Sequence, residues 1–231
     1  MRAAWLAALA LLSSTTAGAQ QVDPTNPTCP KQLNWSNHKT MQFSFEEREG
    51  RRVLLAEGAI DRDVAARLKA ALAQHAPIDE IWLRSPGGDA RAGTEAGKLI
   101  REALVFTRIP EGWACFSACN FLFMGGRGRI VEPGGQFVVH MFTHTGNRGA
   151  IEAEVLRGTD STVGLIGEIE QESALLASED NDFLIRMGVS RKLLTEVMYK
   201  QKAVAEQGGD PSTRRCLTQD ELKLYQVANA R

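Results

Sequence analysis

The sequence predicts an α/β domain with a mainly parallel sheet covered by helices, and three observations predict it. Short apolar runs alternate with helical spacings between residues 41 and 142, in the order strand, helix, strand, helix, strand. That alternation is how βαβ units read. Glycine is plentiful, at 21 of 231 residues, and supplies tight turns and close backbone approaches. Apolar residues make up 43% of the chain, enough for one core in a domain of ordinary length and too many for a disordered polymer.

The elements follow in order. Residues 20–40 are polar and rich in Pro and Asn, an irregular arm ahead of the single domain at 41–231. Met41–Glu46 alternates as a strand does, and Arg52–Ile60 is a second strand ending near Gly58. In Asp61–His75 the residues Val64, Leu68 and Leu72 share a helix face, with Asp61 placed to cap the start and Pro77 to stop the chain. Ile78–Arg84 is a short buried strand, and Ser85-Pro86-Gly87-Gly88 a turn. Arg91–Phe106 is a helix with Ala96, Leu99, Ile100 and Ala103 inward. Arg108–Phe116 leads into a strand and Ser117–Met124 is a short apolar helix. Arg129–Val131 and Gln136–Phe142 are strands separated by Pro133-Gly134-Gly135. Thr143–Thr162 is polar and dotted with glycine, which reads as a flexible insertion or lid; with the helices Val163–Met187 and Ser190–Lys200 it makes an insertion over 143–200. The tail at 207–231 holds a polar loop, Gln207–Arg215, and a last helix over Thr218–Gln226 that opens on a capping Thr.

Charge and the chain start restrict the function. With 27 basic against 28 acidic side chains the net charge is −1, without the basic surplus that phosphate neutralisation needs, so no nucleic-acid partner is expected. Residues 1–19 combine Arg2, the apolar run Ala3–Leu12 and the small-x-small sequence Ala17-Gly18-Ala19. This pattern predicts a secretory signal peptide rather than a bilayer-spanning helix. The mature chain is therefore expected in the periplasm or outside the cell, without stable membrane insertion. An exported chain with an even number of cysteines favours disulfides. Cys29, Cys115, Cys119 and Cys216 allow three pairings, and their positions favour Cys29 with Cys216 at the chain ends and Cys115 with Cys119 locally.

Three short segments carry residues that chemistry could use. Ser85-Pro86-Gly87-Gly88-Asp89 follows a buried strand and precedes a helix; adjacent glycines there let main-chain N–H groups face open space, where they can stabilise an oxyanion. Taken alone this is a plain strand-to-helix turn. Cys115-Phe116-Ser117-Ala118-Cys119 puts a hydroxyl at the start of a helix, where a serine ordinarily serves only as a cap. His140 lies in the otherwise apolar strand run Phe137–Phe142 and needs a polar partner, as buried histidines with purely structural roles also do. Each segment lies at a strand end, in the order glycine turn, serine, histidine, with spacings of 29 and 23 residues from Gly88 to Ser117 to His140.

Taken together, Ile81–Gly93, Ser117 and Gly125–His140 resemble the Clp-protease proteolytic subunit and the wider Clp/crotonase superfamily, over roughly residues 52–142 with a weaker echo at Cys216–Val227. The sequence CFSAC beside a signal peptide resembles an exported Clp-like group. The resemblance implies a repeated βαβ superhelix and a serine hydrolase acting on peptides or proteins. It implies Ser117 as nucleophile, His140 as the base, and the amides of Gly88 and Ala118 as the oxyanion hole. No cofactor is implied. Assembly into a homo-oligomer through a handle helix, here Val163–Met187, is implied, but no ATPase partner is expected outside the cytoplasm.

The family's third member is an acid shortly before the terminal helix motif, and direct alignment puts Arg214 there. Asp210 lies four residues earlier and is the candidate; Asp180 and Asp182 are more distant options. Three other readings stay open. The fold could serve as an inactive binding or scaffold protein, or as a crotonase-like acyl-CoA enzyme, which export disfavours. A zinc site could use Cys115, Cys119, His140 and His144, although four residues along a strand span about 13 Å. Arg127 and Arg129 read as surface charge.

Overall fold

The computed structural model describes residues 28–144, 147–201 and 214–230. Residues 1–19, expected to be a signal peptide, and the candidate acid Asp210 lie outside these residues. The architecture is α/β, with two sheets and four of the six strand pairings parallel.

The chain enters through a hairpin. β1 (Gln42–Arg48) pairs antiparallel with β2 (Arg51–Glu57) across Glu49-Gly50, whose φ values of 52° and 72° fit the two-residue turn that matches strand twist. α1 (Val64–His75) then crosses to β3 (Glu80–Arg84), parallel to β2. α2 (Ala90–Ala103) crosses to β4 (Phe106–Ile109), parallel to β3. β5 (Ala114–Phe116) then leaves for the second sheet, α3 (Cys119–Gly125) follows, and β6 (Arg129–Val131) returns to pair parallel with β4. The first sheet thus has the order β1-β2-β3-β4-β6. β7 (Gln136–His140) pairs parallel with β5 and antiparallel with β8 (Arg214–Cys216), giving the second sheet the order β5-β7-β8. α4 (Arg148–Arg157), α5 (Thr159–Arg186) and α6 (Gln219–Leu224) complete the helices, with a π-helical turn at Leu193–Val197 and a 3-10 turn at Met198–Lys200.

One core joins both sheets. α1 contributes Val64 and Leu68, α2 contributes Ala96 and Ile100, and these meet Leu54, Ile81, Phe123, Phe137 and Phe183. All seven residues of α3 are buried, as expected of a helix with no polar face. α2 and α3 touch backbone to backbone, since a Cβ at Gly125 would stand 2.2 Å from the Gly97 carbonyl oxygen. The arm runs against the second sheet rather than away from it: Cys29 is bonded to Cys216, and Ala114 N–H donates to Asn34 O at 2.9 Å.

Several sequence expectations are corrected. α1 starts at Val64 with Asp63 at its cap position, because Asp61 instead accepts from Asp63 N–H and pairs with Arg67. α2 ends at Ala103, which is exposed; Leu104 turns left-handed at φ 56°, so Phe106 starts a strand instead of closing the helix. Residues 108–116 form no single strand, because Pro110-Glu111-Gly112 turns the chain between β4 and β5, which belong to different sheets. Thr143–Thr162 contains α4 and the first turn of α5, separated by Gly158 at φ 117°. The end of the expected polar loop, Arg214 and Arg215, lies in β8, because it pairs with β7. Thr218 caps α6 as expected, its side chain accepting from Glu221 N–H. Among the described residues no helix is long and apolar enough to cross a membrane.

Candidate active site

Parallel pairing makes neighbours of residues far apart in sequence. In the β5–β7 ladder Phe116 stands opposite Val138, so Ser117 and His140 both follow that rung at the same end of the sheet. Ser117 N–H donates to Val138 O at 3.3 Å. The result is a contact of 2.7 Å between His140 Nε2 and Ser117 Oγ, between residues 23 apart. The ring of His140 also packs on Phe116, centroid to centroid at 4.8 Å, and Phe116 stacks on Trp35 of the arm at 5.7 Å. The imidazole is therefore fixed on one side by apolar contact and on another by the hydroxyl.

Ser117 has φ 56°, a left-handed conformation that a non-glycine residue rarely adopts without support. Its surroundings supply that support. The disulfide Cys115–Cys119 spans it, and Asn120 N–H donates to its carbonyl at 2.9 Å. Phe116 N–H donates to Ser85 O at 3.1 Å, which ties the serine strand to the strand that carries the glycine turn. Only glycine fits at 87, because a Cβ there would lie 2.7 Å from Ser117 Cβ and 2.6 Å from Phe116 O.

The same turn places Gly88. Ile60 N–H donates to Gly87 O at 2.8 Å and Asp89 N–H donates to Ile60 O at 2.9 Å. These bonds grip the turn on both sides of Gly88. Asp89 then caps α2, accepting from Ala92 N–H. The amides of Gly88 and Ala118 donate to no other group among the described residues. A hydroxyl in contact with an imidazole, beside unengaged amides, is the set of parts that acyl transfer needs.

Asn120 is a residue that sequence reasoning misses, yet it is buried in the wall of this site. Its Nδ2 donates to Val138 O at 2.8 Å and so locks α3 to β7; its Oδ1 has no hydrogen-bond partner among the described residues. The signal for it is its position three residues after Ser117, one helical turn on. Asp180, read in the sequence only as a distant option for the third acid, also lies here. It shares a pocket with Ser117, Ala118 and His140, and burial, reinforced by neighbouring Glu179, pushes its carboxyl up to about 7.

The remaining candidates separate clearly. Arg214 has its Cα opposite that of His140 in the β7–β8 ladder, and its guanidinium lies over Trp35. Asp182 is exposed and pairs with Arg186. Arg129 is corrected: it is 1% exposed and donates to the carbonyls of Val227, Gln226, Met187 and Gly126, clamping the chain end to the core. Burial, with Arg101 nearby, lowers its pKa to about 10, so it stays cationic at neutral pH. Arg127 is exposed. Cys115 and Cys119 are bonded to each other, which removes both as zinc ligands, and His144 faces Glu172 at 3.5 Å.

No family model matches the chain and no curated protein matches it. Among solved structures it is similar to a mutant ClpP1 from Listeria monocytogenes, with a TM-score of 0.52 and 16% identity over 77% of this chain and 89% of that one. The chain has a ClpP-like fold. At this identity the likeness is one of architecture, and the ClpP-like frame by itself assigns no activity to Ser117 or His140.

Proposed function

We propose that this chain is an exported serine hydrolase that cleaves peptides or proteins. The observation that carries the reading is the 2.7 Å contact between His140 Nε2 and Ser117 Oγ beside the unengaged amides of Gly88 and Ala118. The ClpP-like fold supports it.

In the proposed reaction Ser117 Oγ attacks the scissile carbonyl carbon while its proton passes to His140 Nε2. The carbonyl oxygen takes up the electron pair and is held by the two amides. The tetrahedral carbon then expels the leaving amine or alcohol, which takes the proton from His140, and a serine ester remains. Water gives its proton to His140 and attacks the ester; release of the acid returns the proton to Ser117.

Asp210 is the proposed orienting acid. It stands four residues ahead of Arg214 in the sequence, and the Cα of Arg214 lies opposite that of His140 in the β7–β8 ladder. An acid in that role holds the imidazole tautomer. Export is supported by two disulfides, Cys29–Cys216 and Cys115–Cys119. Self-association is supported by apolar side chains on α4 and α5, among them Leu156 at 88% and Val163 at 62% exposure.

The test is turnover of p-nitrophenyl acyl esters and of casein by the mature chain. Activity that disappears in Ser117→Ala and drops by orders of magnitude in His140→Ala supports the reading. A folded, oxidised chain that turns over neither substrate overturns it and leaves a binding protein on this fold.

A further inference from the structure

The pocket beside Ser117 and His140 is walled mainly by apolar side chains, with Asn120 and Asp180 as the polar groups beyond the Ser117–His140 pair. α5 supplies one wall through Leu176, Asp180 and Leu184, spaced four residues apart on one helix face. Between two leucines, the middle position carries a carboxylate. Asp180 is 8% exposed and accepts no hydrogen bond and forms no ion pair among the described residues. Burying a carboxyl without a partner is unfavourable, so this position is poorly explained as packing.

The charged and titratable groups around Asp180 leave its charge unanswered. On its own helix Glu179 is the neighbour, and it turns outward toward Arg91 at the start of α2, with 4.0 Å between them. The 3-10 turn brings Tyr199, whose hydroxyl is held neutral by burial and by Asp180 itself. β7 brings His140, which is engaged with Ser117. Among the described residues neither lysine nor arginine lines the pocket. An apolar shaft with one unpaired carboxyl in its wall is complementary to an aliphatic stem that ends in a cation.

We infer that this pocket selects a cationic side chain through Asp180, so that the preferred substrate presents a lysine- or arginine-like group beside the bond that Ser117 attacks. This rests on the hydrolase reading for its chemistry, but the pocket and its carboxyl exist independently of it. Asp180 is thus a specificity residue: it pairs with the incoming ammonium or guanidinium and takes no part in proton transfer at Ser117.

The test compares p-nitrophenyl esters of N-acetyl-lysine and N-acetyl-norleucine, which share a four-carbon stem and differ at its tip. The wild-type chain is expected to favour the lysine ester in kcat/KM by at least about tenfold, and Asp180→Asn to reduce that ratio by a similar factor. The preference is carried by the ionised carboxyl, so it strengthens as pH rises through about 7; that readout needs no variant. Binding of n-butylammonium against n-butanol, followed by NMR shifts of the pocket methyl groups, reads the pocket without turnover, and fluorophosphonate labelling reads the nucleophile without the pocket. Labelling together with equal rates on both esters, unchanged in Asp180→Asn, overturns the pocket assignment and leaves the hydrolase standing. Absent labelling with ammonium binding that Asp180→Asn abolishes does the reverse. Absence of both removes both.

Discussion

Replacing Gly88 by alanine probes the proposed oxyanion hole without touching Ser117 or His140. A Cβ at this position would stand 2.0 Å from the carbonyl oxygen of Ile60, on a residue whose φ is +147°. Real Cβ contacts stay beyond 3.0 Å, so the turn or the backbone at Ile60 must give way by about 1 Å, enough to misplace an aligned donor. The turn cannot yield locally, because Ile60 N–H to Gly87 O and Asp89 N–H to Ile60 O hold it from both sides. Loss of one oxyanion donor is worth about 3 kcal/mol, a hundredfold or more in kcat, with little change in KM because the oxyanion exists only in the transition state. Backbone strain should lower stability by about 1–3 kcal/mol. Ester turnover and thermal melting are measured together, with Gly167→Ala as the reference. Gly167 lies within α5, and a Cβ added there would meet nothing within 4 Å, so alanine should add up to about 1 kcal/mol and leave turnover unchanged. A folded Gly88→Ala protein whose kcat stays within about twofold of wild type refutes the assignment of this amide, since a lost donor has a far larger effect.

The two disulfides should contribute differently. Cys29–Cys216 closes a separation of 187 residues and Cys115–Cys119 one of 4; chain entropy gives about 5 and about 2 kcal/mol respectively. Denaturant melts of Cys29→Ser/Cys216→Ser and Cys115→Ser/Cys119→Ser should rank in that order, and the second pair should lose more ester turnover, because it spans Ser117. Equal turnover in both would show that the local bridge does not hold the serine. Asp180 predicts a pH effect on stability. Its folded pKa is raised from 3.8 to about 7, so the folded state binds the extra proton between these values and stability falls as pH rises through that window. Each tenfold of proton affinity is about 1.4 kcal/mol, which sets a ceiling of about 4 kcal/mol. Asp180→Asn should melt above wild type at pH 8 and converge with it near pH 4; parallel curves at every pH would contradict the burial of an unpaired carboxyl.

Much of the site is legible in the sequence because it is built at strand ends. The apolar runs before Ser85, Ser117 and His140 announce the strands, and parallel pairing is what converts separations of 29 and 23 residues into one site. Other features depend on distant chain. Arg129 reads as a surface charge because three of the carbonyls that bury it come from the distant residues 187, 226 and 227. Arg108–Phe116 reads as one run leading into a strand because only residues 110–113 separate β4 from β5, and nothing local says that the two join different sheets. Asp180 reads in the sequence only as a remote third acid. Its place between Leu176 and Leu184 on one helix face is the available signal, but acids are frequent along α5 and most of them are exposed. α4 reads as a lid because Gly146, Gly149 and Gly158 draw attention away from the helix-forming run Ala150–Arg157.

The central claim is that Ser117 is a nucleophile that His140 activates. Treating the mature, oxidised chain with a fluorophosphonate and mapping the adduct by peptide mass spectrometry asks this directly. The prediction is a single adduct on Ser117, absent in Ser117→Ala and formed far more slowly in His140→Ala. A folded chain that stays unmodified, or one modified at the same rate without the imidazole, would contradict it.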